Sequence, residues 1–252
     1  MKLALVQMLV EPGRKESNLA RAEARIAEAA SRGSEMVLSP EAMPLGWTHP
    51  SARTEADAIP DGESCVRLCR AAKTHKVFVC AGIIERAGGK VFNAAVLINP
   101  AGEVIIHHRK IYELELAHDL YARGDRLSVA ETPFGKIGVM ICADGFAPGQ
   151  SISRTLALMG AKLILSPCAW AVPSDHDNVR EPYGQLWLDN YCPVSREFDV
   201  AIAGVSNVGL ITAGPWQGRK CIGNSLVIDR HGKEIAHGPY GENAEAILIV
   251  DV

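Results

Sequence analysis

The 252-residue chain has no run of about 18 apolar residues, no C-x-x-C pair, no low-complexity tract and no repeat with a period of roughly 20–50 residues. The first absence argues against a helical membrane span. The second, in an odd set of seven cysteines, argues against both a disulfide framework and a zinc ribbon. The others argue against solenoids and disordered arrays. A net charge of −3 supplies neither the basic excess of a nucleic-acid binder nor a polyacidic tail. No composition break divides residues 1–252, so one domain is expected. Met1-Lys2-Leu3 opens a short apolar run with no cleavage signal behind it, and the expectation is a soluble, cytoplasmic protein with reduced thiols.

What the chain does have is alternation of helices and buried strands. Strands are expected at Lys2–Met8, 35–39, 77–84 and 91–98, with helices over 17–31 and 62–75. Asn99-Pro-Ala-Gly reads as a hairpin turn into a strand over 103–109. The pattern then begins again with a strand at 136–141, a helix at 150–159, a strand at 162–166, a polar loop, a helix at 183–198 and a strand at 200–205. Strands near 224–229, 233–237 and 246–251 close the chain. Helix–strand alternation mixed with hairpins implies mixed sheets packed with helices, an α/β class, rather than a purely parallel sheet.

Three of these strands run out into a chemically able side chain. Met36-Val-Leu-Ser-Pro-Glu41 puts a carboxylate past one exit, Ile105-Ile-His-His-Arg-Lys110 an ammonium past another, and Lys136-Ile-Gly-Val-Met-Ile-Cys142 a thiol past a third. Each alone has a bland reading. A lone cysteine usually packs, and a Glu or Lys beyond a strand is usually solvated. Together they make a base, a cation and a nucleophile on rigid elements that commonly gather at one rim. Cys65 and Cys69, four apart on a helix face, read as packing residues. His107 and His108 would point to opposite faces of a strand and are poor candidates for a shared metal.

The blocks Leu38-Ser-Pro-Glu41, His107-His-Arg-Lys110 and Gly138-Val-Met-Ile-Cys142-Ala-Asp resemble the Glu, Lys and Cys motifs of the nitrilase, or carbon–nitrogen hydrolase, superfamily, in that order and spacing. The resemblance runs through Ser166-Pro-Cys-Ala-Trp170 and covers nearly the whole chain. It implies a four-layer α-β-β-α sandwich, pairing of subunits into a homodimer or higher homo-oligomer, and no metal or organic cofactor. It also implies catalysis by Cys142 as nucleophile, Glu41 as general base and acid, and Lys110 with the Ala143 N–H as oxyanion donors. The expected reaction is hydrolysis of an amide or ureide with release of ammonia. A small nitrile is the alternative substrate. A non-catalytic binding scaffold and acyl transfer to an amine or lipid are the competing functions.

Departures from the motifs concern the neighbours of these residues and hence the pocket. Ser39 precedes Pro40-Glu41 where an aromatic is frequent, Ala143 replaces an aromatic, and Ile111-Tyr-Glu-Leu replaces His-Leu after the lysine. Relatives often carry a second glutamate after the lysine. Glu113, Glu115 and Asp119 compete for that place, with Glu113 favoured as the nearest to the exit. Trp170 is a candidate for lining the site, within a loop whose Asp175, His176, Asp177 and Arg180 could read a polar substrate. Asp144 reads as support for the nucleophile loop, and Cys168 as a packing residue.

Overall fold

Side chains alternate along β1 (Lys2–Gln7), so Leu3 and Leu5 face one way and Ala4 and Val6 the other, yet all four are fully buried. A strand buried on both faces needs a packed layer on each side. The computed structural model, which describes residues 1–252, supplies both layers. Leu3 and Leu5 meet a second sheet, while Ala4 and Val6 meet helices.

In chain order β1 is followed by α1 (Lys15–Ser31), β2 (Met36–Leu38), α2 (Ala52–Glu55), α3 (Glu63–His75), β3 (Phe78–Ala87), β4 (Lys90–Ile98) and β5 (Val104–Arg109). The second half brings β6 (Val129–Thr132), β7 (Gly135–Val139), α4 (Ser151–Leu158), β8 (Leu163–Cys168), β9 (Ala171–Val172), α5 (Gln185–Phe198) and β10 (Ala201–Ser206). β11 (Val208–Leu210), β12 (Lys220–Ile222), β13 (Leu226–Ile228), β14 (Glu234–His237) and β15 (Ala246–Asp251) complete it.

One six-stranded sheet has the order β15-β1-β2-β3-β4-β5, parallel from β1 to β3 and antiparallel elsewhere. The other has the order β14-β13-β10-β8-β7-β6, with β10, β8 and β7 parallel. Leu38, Cys80 and Leu97 of the first pack on Val139, Leu165 and Val205 of the second. Outside, Leu19, Ala22 and Ile26 of α1 and Leu68 of α3 cover the first sheet, at the helical spacing that puts them on one face. Ile152 and Leu156 of α4 and Tyr191 and Val194 of α5 cover the second. The layering is α-β-β-α, as expected. At the turn between β4 and β5, the Asn99 side chain accepts the N–H groups of Ala101 and Glu103, and Gly102 takes φ 83°.

Sequence reading missed β6 and the small sheet β11-β12-β9. The strands of that sheet are two or three residues long, too short to display a period of two. No helix is long and apolar enough to cross a membrane.

Candidate active site

Glu41 and Lys110 leave the first sheet after β2 and β5, and Cys142 leaves the facing sheet after β7, so the site lies where the two sheets meet at one rim. The Glu41 backbone is fixed from both sides. Its N–H donates to the Cys168 carbonyl at 3.2 Å at the end of β8, while the preceding Pro40 carbonyl accepts from Gly82 N at 3.0 Å on β3. The approach to β3 is so close that a Cβ on Gly82 would stand 2.5 Å from Glu41 Cα and 2.6 Å from Pro40 O. Only glycine fits there.

Lys110 Nζ lies 2.8 Å from Glu41 Oε1 and 3.0 Å from Glu113 Oε1. Asn93 Nδ2 donates to Glu41 Oε1 at 2.6 Å and lies 3.2 Å from Glu113 Oε2. The strands explain the placing of Asn93: Lys110 N donates to its carbonyl, so the two residues are neighbours across β4 and the exit of β5. Glu41, Lys110 and Glu113 are 1%, 2% and 5% exposed. Glu115 and Asp119, the competing acids, are both exposed. Burial raises the pKa of the Glu41 carboxyl, and its attraction to Lys110 recovers only part of that shift. For Lys110 burial works toward neutrality, but Glu113 and Glu41 outweigh it and hold the ammonium well above its ordinary value.

Cys142 begins a 3-10 turn with φ 44°, a left-handed backbone that a non-glycine residue adopts only when its surroundings impose it. Two contacts impose it here. Cys142 N donates to Ser166 Oγ at 3.2 Å, and Asp144 Oδ2 accepts the Ile141 N–H at 2.9 Å. Asp144 is fully buried and also accepts the N–H groups of Ile111 at 3.1 Å and Tyr112 at 2.7 Å, which follow Lys110 directly. Burial alone would raise its pKa, but His108 and these backbone donors hold it below the usual aspartate range.

Lys110 favours the Cys142 thiolate, but other effects outweigh it. Burial, then contact with Cys168 and the charge of Glu41, push Cys142 well above its ordinary value, and the opposing pull of Lys110 is smaller. Cys168 is fully buried, as the packing reading has it, but its Sγ lies 3.3 Å from Ser166 Oγ, which also accepts the Cys142 N–H.

Glu41, Lys110 and Cys142 share the wall of a cavity of about 220 Å³. Ala143 and Trp170, named from the sequence, line it too. Trp170 is also a core residue, stacked on Trp187 with ring centroids 4.6 Å apart. Asp175, Asp177 and Arg180 are exposed, and they and His176 lie outside the wall. Aromatics make up only 6% of the chain, yet all four tryptophans, Trp47, Trp170, Trp187 and Trp216, line this cavity, with Phe146 and Tyr183. Trp47, Trp187 and Trp216 were not read from the sequence, and neither was Asn93. His107 and His108 diverge as expected, His107 toward Glu85 and His108 toward Asp144.

Comparison with known proteins adds to this geometry. The chain is similar to a nitrilase of Pyrococcus abyssi, 29% identical over 259 residues and covering 100% of this chain and 90% of that protein. It is 34% identical over 180 residues to the omega-amidase NIT2 of Xenopus tropicalis, covering 67% of this chain and 63% of that protein. Among solved structures it superposes on the amidase of Nesterenkonia sp. AN1 with a TM-score of 0.83 at 20% identity, over 100% of this chain and 92% of that one. The carbon-nitrogen hydrolase of Helicobacter pylori G27 gives 0.84 at 20% identity, over 99% and 88%. At that identity the superpositions speak for the fold. The carbon-nitrogen hydrolase family itself matches residues 2–252, and the chain belongs to that family of enzymes.

Proposed function

We propose that the protein is a cysteine-dependent amidase that hydrolyses a small amide or ureide through a thioester and releases ammonia. The observation that carries this reading is Lys110 held between two buried carboxylates in the wall of the cavity that Cys142 shares. Two of its three N–H bonds are engaged by Glu41 and Glu113, which leaves one for a substrate oxygen.

With the thiol protonated at rest, attack and proton transfer are coupled. Cys142 Sγ bonds to the carbonyl carbon as its proton passes to Glu41, and the carbonyl becomes an oxyanion held by Lys110 Nζ and the Ala143 N–H. Collapse breaks the C–N bond, and Glu41 returns the proton to the leaving nitrogen. A water then attacks the thioester, losing its proton to Glu41, which passes it to the departing sulfur. The raised pKa of Glu41 suits a group that must take and give a proton near neutrality. Losing one oxyanion donor typically costs about 3–4 kcal/mol, more than the roughly 2 kcal/mol that full ionisation of a free thiol could supply. Lys110 therefore weighs at least as much as thiol activation.

Similarity to a protein named nitrilase over the full length of this chain keeps a nitrile as the second substrate, since attack on its carbon uses the same three groups. The Nesterenkonia amidase, with an acrylamide adduct on its active-site cysteine in one structure, supports the amide reading by fold alone. The test is ammonia release from primary amides, N-carbamoyl compounds and nitriles, with the intact mass of the acyl-enzyme followed by rapid quenching. Ammonia from one class and a substrate-sized mass gain that is absent in Cys142→Ala support the reading. Silence toward all classes, with Cys142 inert to iodoacetamide, would leave a binding scaffold instead.

A further inference from the structure

The wall of the catalytic cavity is almost free of charge. Apart from Glu41, Lys110 and the Cys142 thiol, every residue lining it is apolar or aromatic. Trp47 meets Trp216 edge to face at 4.7 Å, and Phe146 packs on Trp187 at 5.4 Å. Leu186, 50% exposed, also lines the cavity and therefore stands at its mouth. The only lysine in the wall is committed to two carboxylates, so the buried trio of Glu41, Glu113 and Lys110 is net negative when all are ionised. Arg219 rests 4.5 Å from the Trp216 ring centroid but is not part of the wall.

From this wall we infer that the acyl group taken by the site is uncharged and apolar, with about the bulk of a benzene ring. The inference rests on the amidase reading and adds its substrate class. An apolar cavity of about 150 Å³ holds benzene. One of about 220 Å³ therefore has room for a ring and its carboxamide. A second carboxylate on the acyl chain, as in the monoamide of a dicarboxylic acid, would be stripped of water against indole faces with no cation to meet it. A primary ammonium on the chain would give up its strong hydration with no free carboxylate in the wall to replace it, since Glu41 already holds Lys110.

The experiment measures kcat/KM of the purified enzyme on acetamide, butyramide, phenylacetamide, succinamate and β-alaninamide. It is expected to rise from acetamide to butyramide by about fourfold per added methylene and to rise again to phenylacetamide. Phenylacetamide is expected to exceed both charged amides by about 100-fold or more. Leu186→Arg, which places a cation at the half-exposed mouth, should raise the succinamate to phenylacetamide ratio at least about tenfold. Faster turnover of succinamate or β-alaninamide than of phenylacetamide by the native enzyme would overturn the inference while leaving the thioester chemistry standing. No turnover of any amide would overturn both.

Discussion

His108 Nε2 lies 2.8 Å from Asp144 Oδ2, and this contact joins the two sheets behind Lys110 and Cys142. His108 stands on β5 two residues before Lys110, and Asp144 stands two residues after Cys142. With the Ile111 and Tyr112 N–H groups also on Asp144, one carboxylate fixes the distance between Lys110 and Cys142. Asp144→Asn should cost about 3–5 kcal/mol of stability, because an amide NH₂ would face donors that expect an acceptor. At a temperature where the variant is folded, kcat should fall by about 100-fold with KM little changed. Thermal unfolding and steady-state kinetics check both. Native kcat in the folded variant would show that Asp144 only stabilises.

Cys142→Ser and Lys110→Ala should each nearly abolish turnover, by about 1,000-fold or more. They should differ in stability. The serine variant keeps the packing, whereas removal of Lys110 leaves Glu41 and Glu113 buried without their shared cation and should cost about 3–5 kcal/mol. Full activity in either purified, folded variant would reject the assignment.

The pH profile should report Glu41. It must be ionised to accept the thiol proton, and burial raises its pKa, so kcat/KM should rise with pH through a value above the ordinary glutamate figure of about 4.3. Cys142 and Lys110 are both raised, so neither should titrate near pH 8.5, where a free thiol would. A plateau is expected there. A second rise of activity centred near pH 8.5 would mean that a free thiolate is the attacking species.

Glu85 offers a stability test away from the chemistry. Burial raises its pKa, but bonds from Arg109 at 2.7 and 2.6 Å, and then from His107 at 2.9 Å, hold it at about 2. A depressed carboxylate stabilises above its unfolded pKa, and that contribution is lost as pH falls from about 4.5 toward 2. Both partners are 32% exposed, so solvent trims the full shift, and about 1–3 kcal/mol is expected at pH 7. Glu85→Gln should lower stability by that amount at pH 7 and flatten its loss between pH 4.5 and 2. Denaturant midpoints across this range measure it, and parallel curves for the two proteins would refute it.

Gly82→Ala tests the seat of Glu41. The added methyl must displace the Glu41 backbone, since the atoms it meets are main chain and cannot rotate away. A displacement of about 1 Å should lower kcat by about 100-fold while far-UV circular dichroism stays native. Unchanged kcat would mean that Glu41 tolerates movement.

The groups proposed for the chemistry were legible because each follows a strand whose apolar run ends abruptly, a signal contained in a few adjacent residues. The reason Glu113 separates from Glu115 and Asp119 is not local in that way: the chain turns into a 3-10 segment at Glu115–Ala117 and carries the later acids outward. Asn93 was hidden because a lone polar residue within Val91-Phe-Asn-Ala-Ala reads as an interruption of a buried strand. Its partners become visible only when β4 and β5 are paired. The cavity wall was the least legible part. Trp47, Trp187 and Trp216 stand far apart in sequence, and each alone is indistinguishable from a packing aromatic. The fold assembles them through a loop after β2, the first turns of α5 and the segment between β11 and β12.

That assembly gives the molecule a built-in optical reporter. Because every tryptophan of the chain borders the cavity, all of its indole emission originates beside Glu41, Lys110 and Cys142. Binding of an amide, or acylation of the sulfur, would change the surroundings of every emitter at once, with no dilution by tryptophans elsewhere. Occupancy of the site can therefore be followed in the unlabelled protein by its own fluorescence, on the timescale of a single turnover.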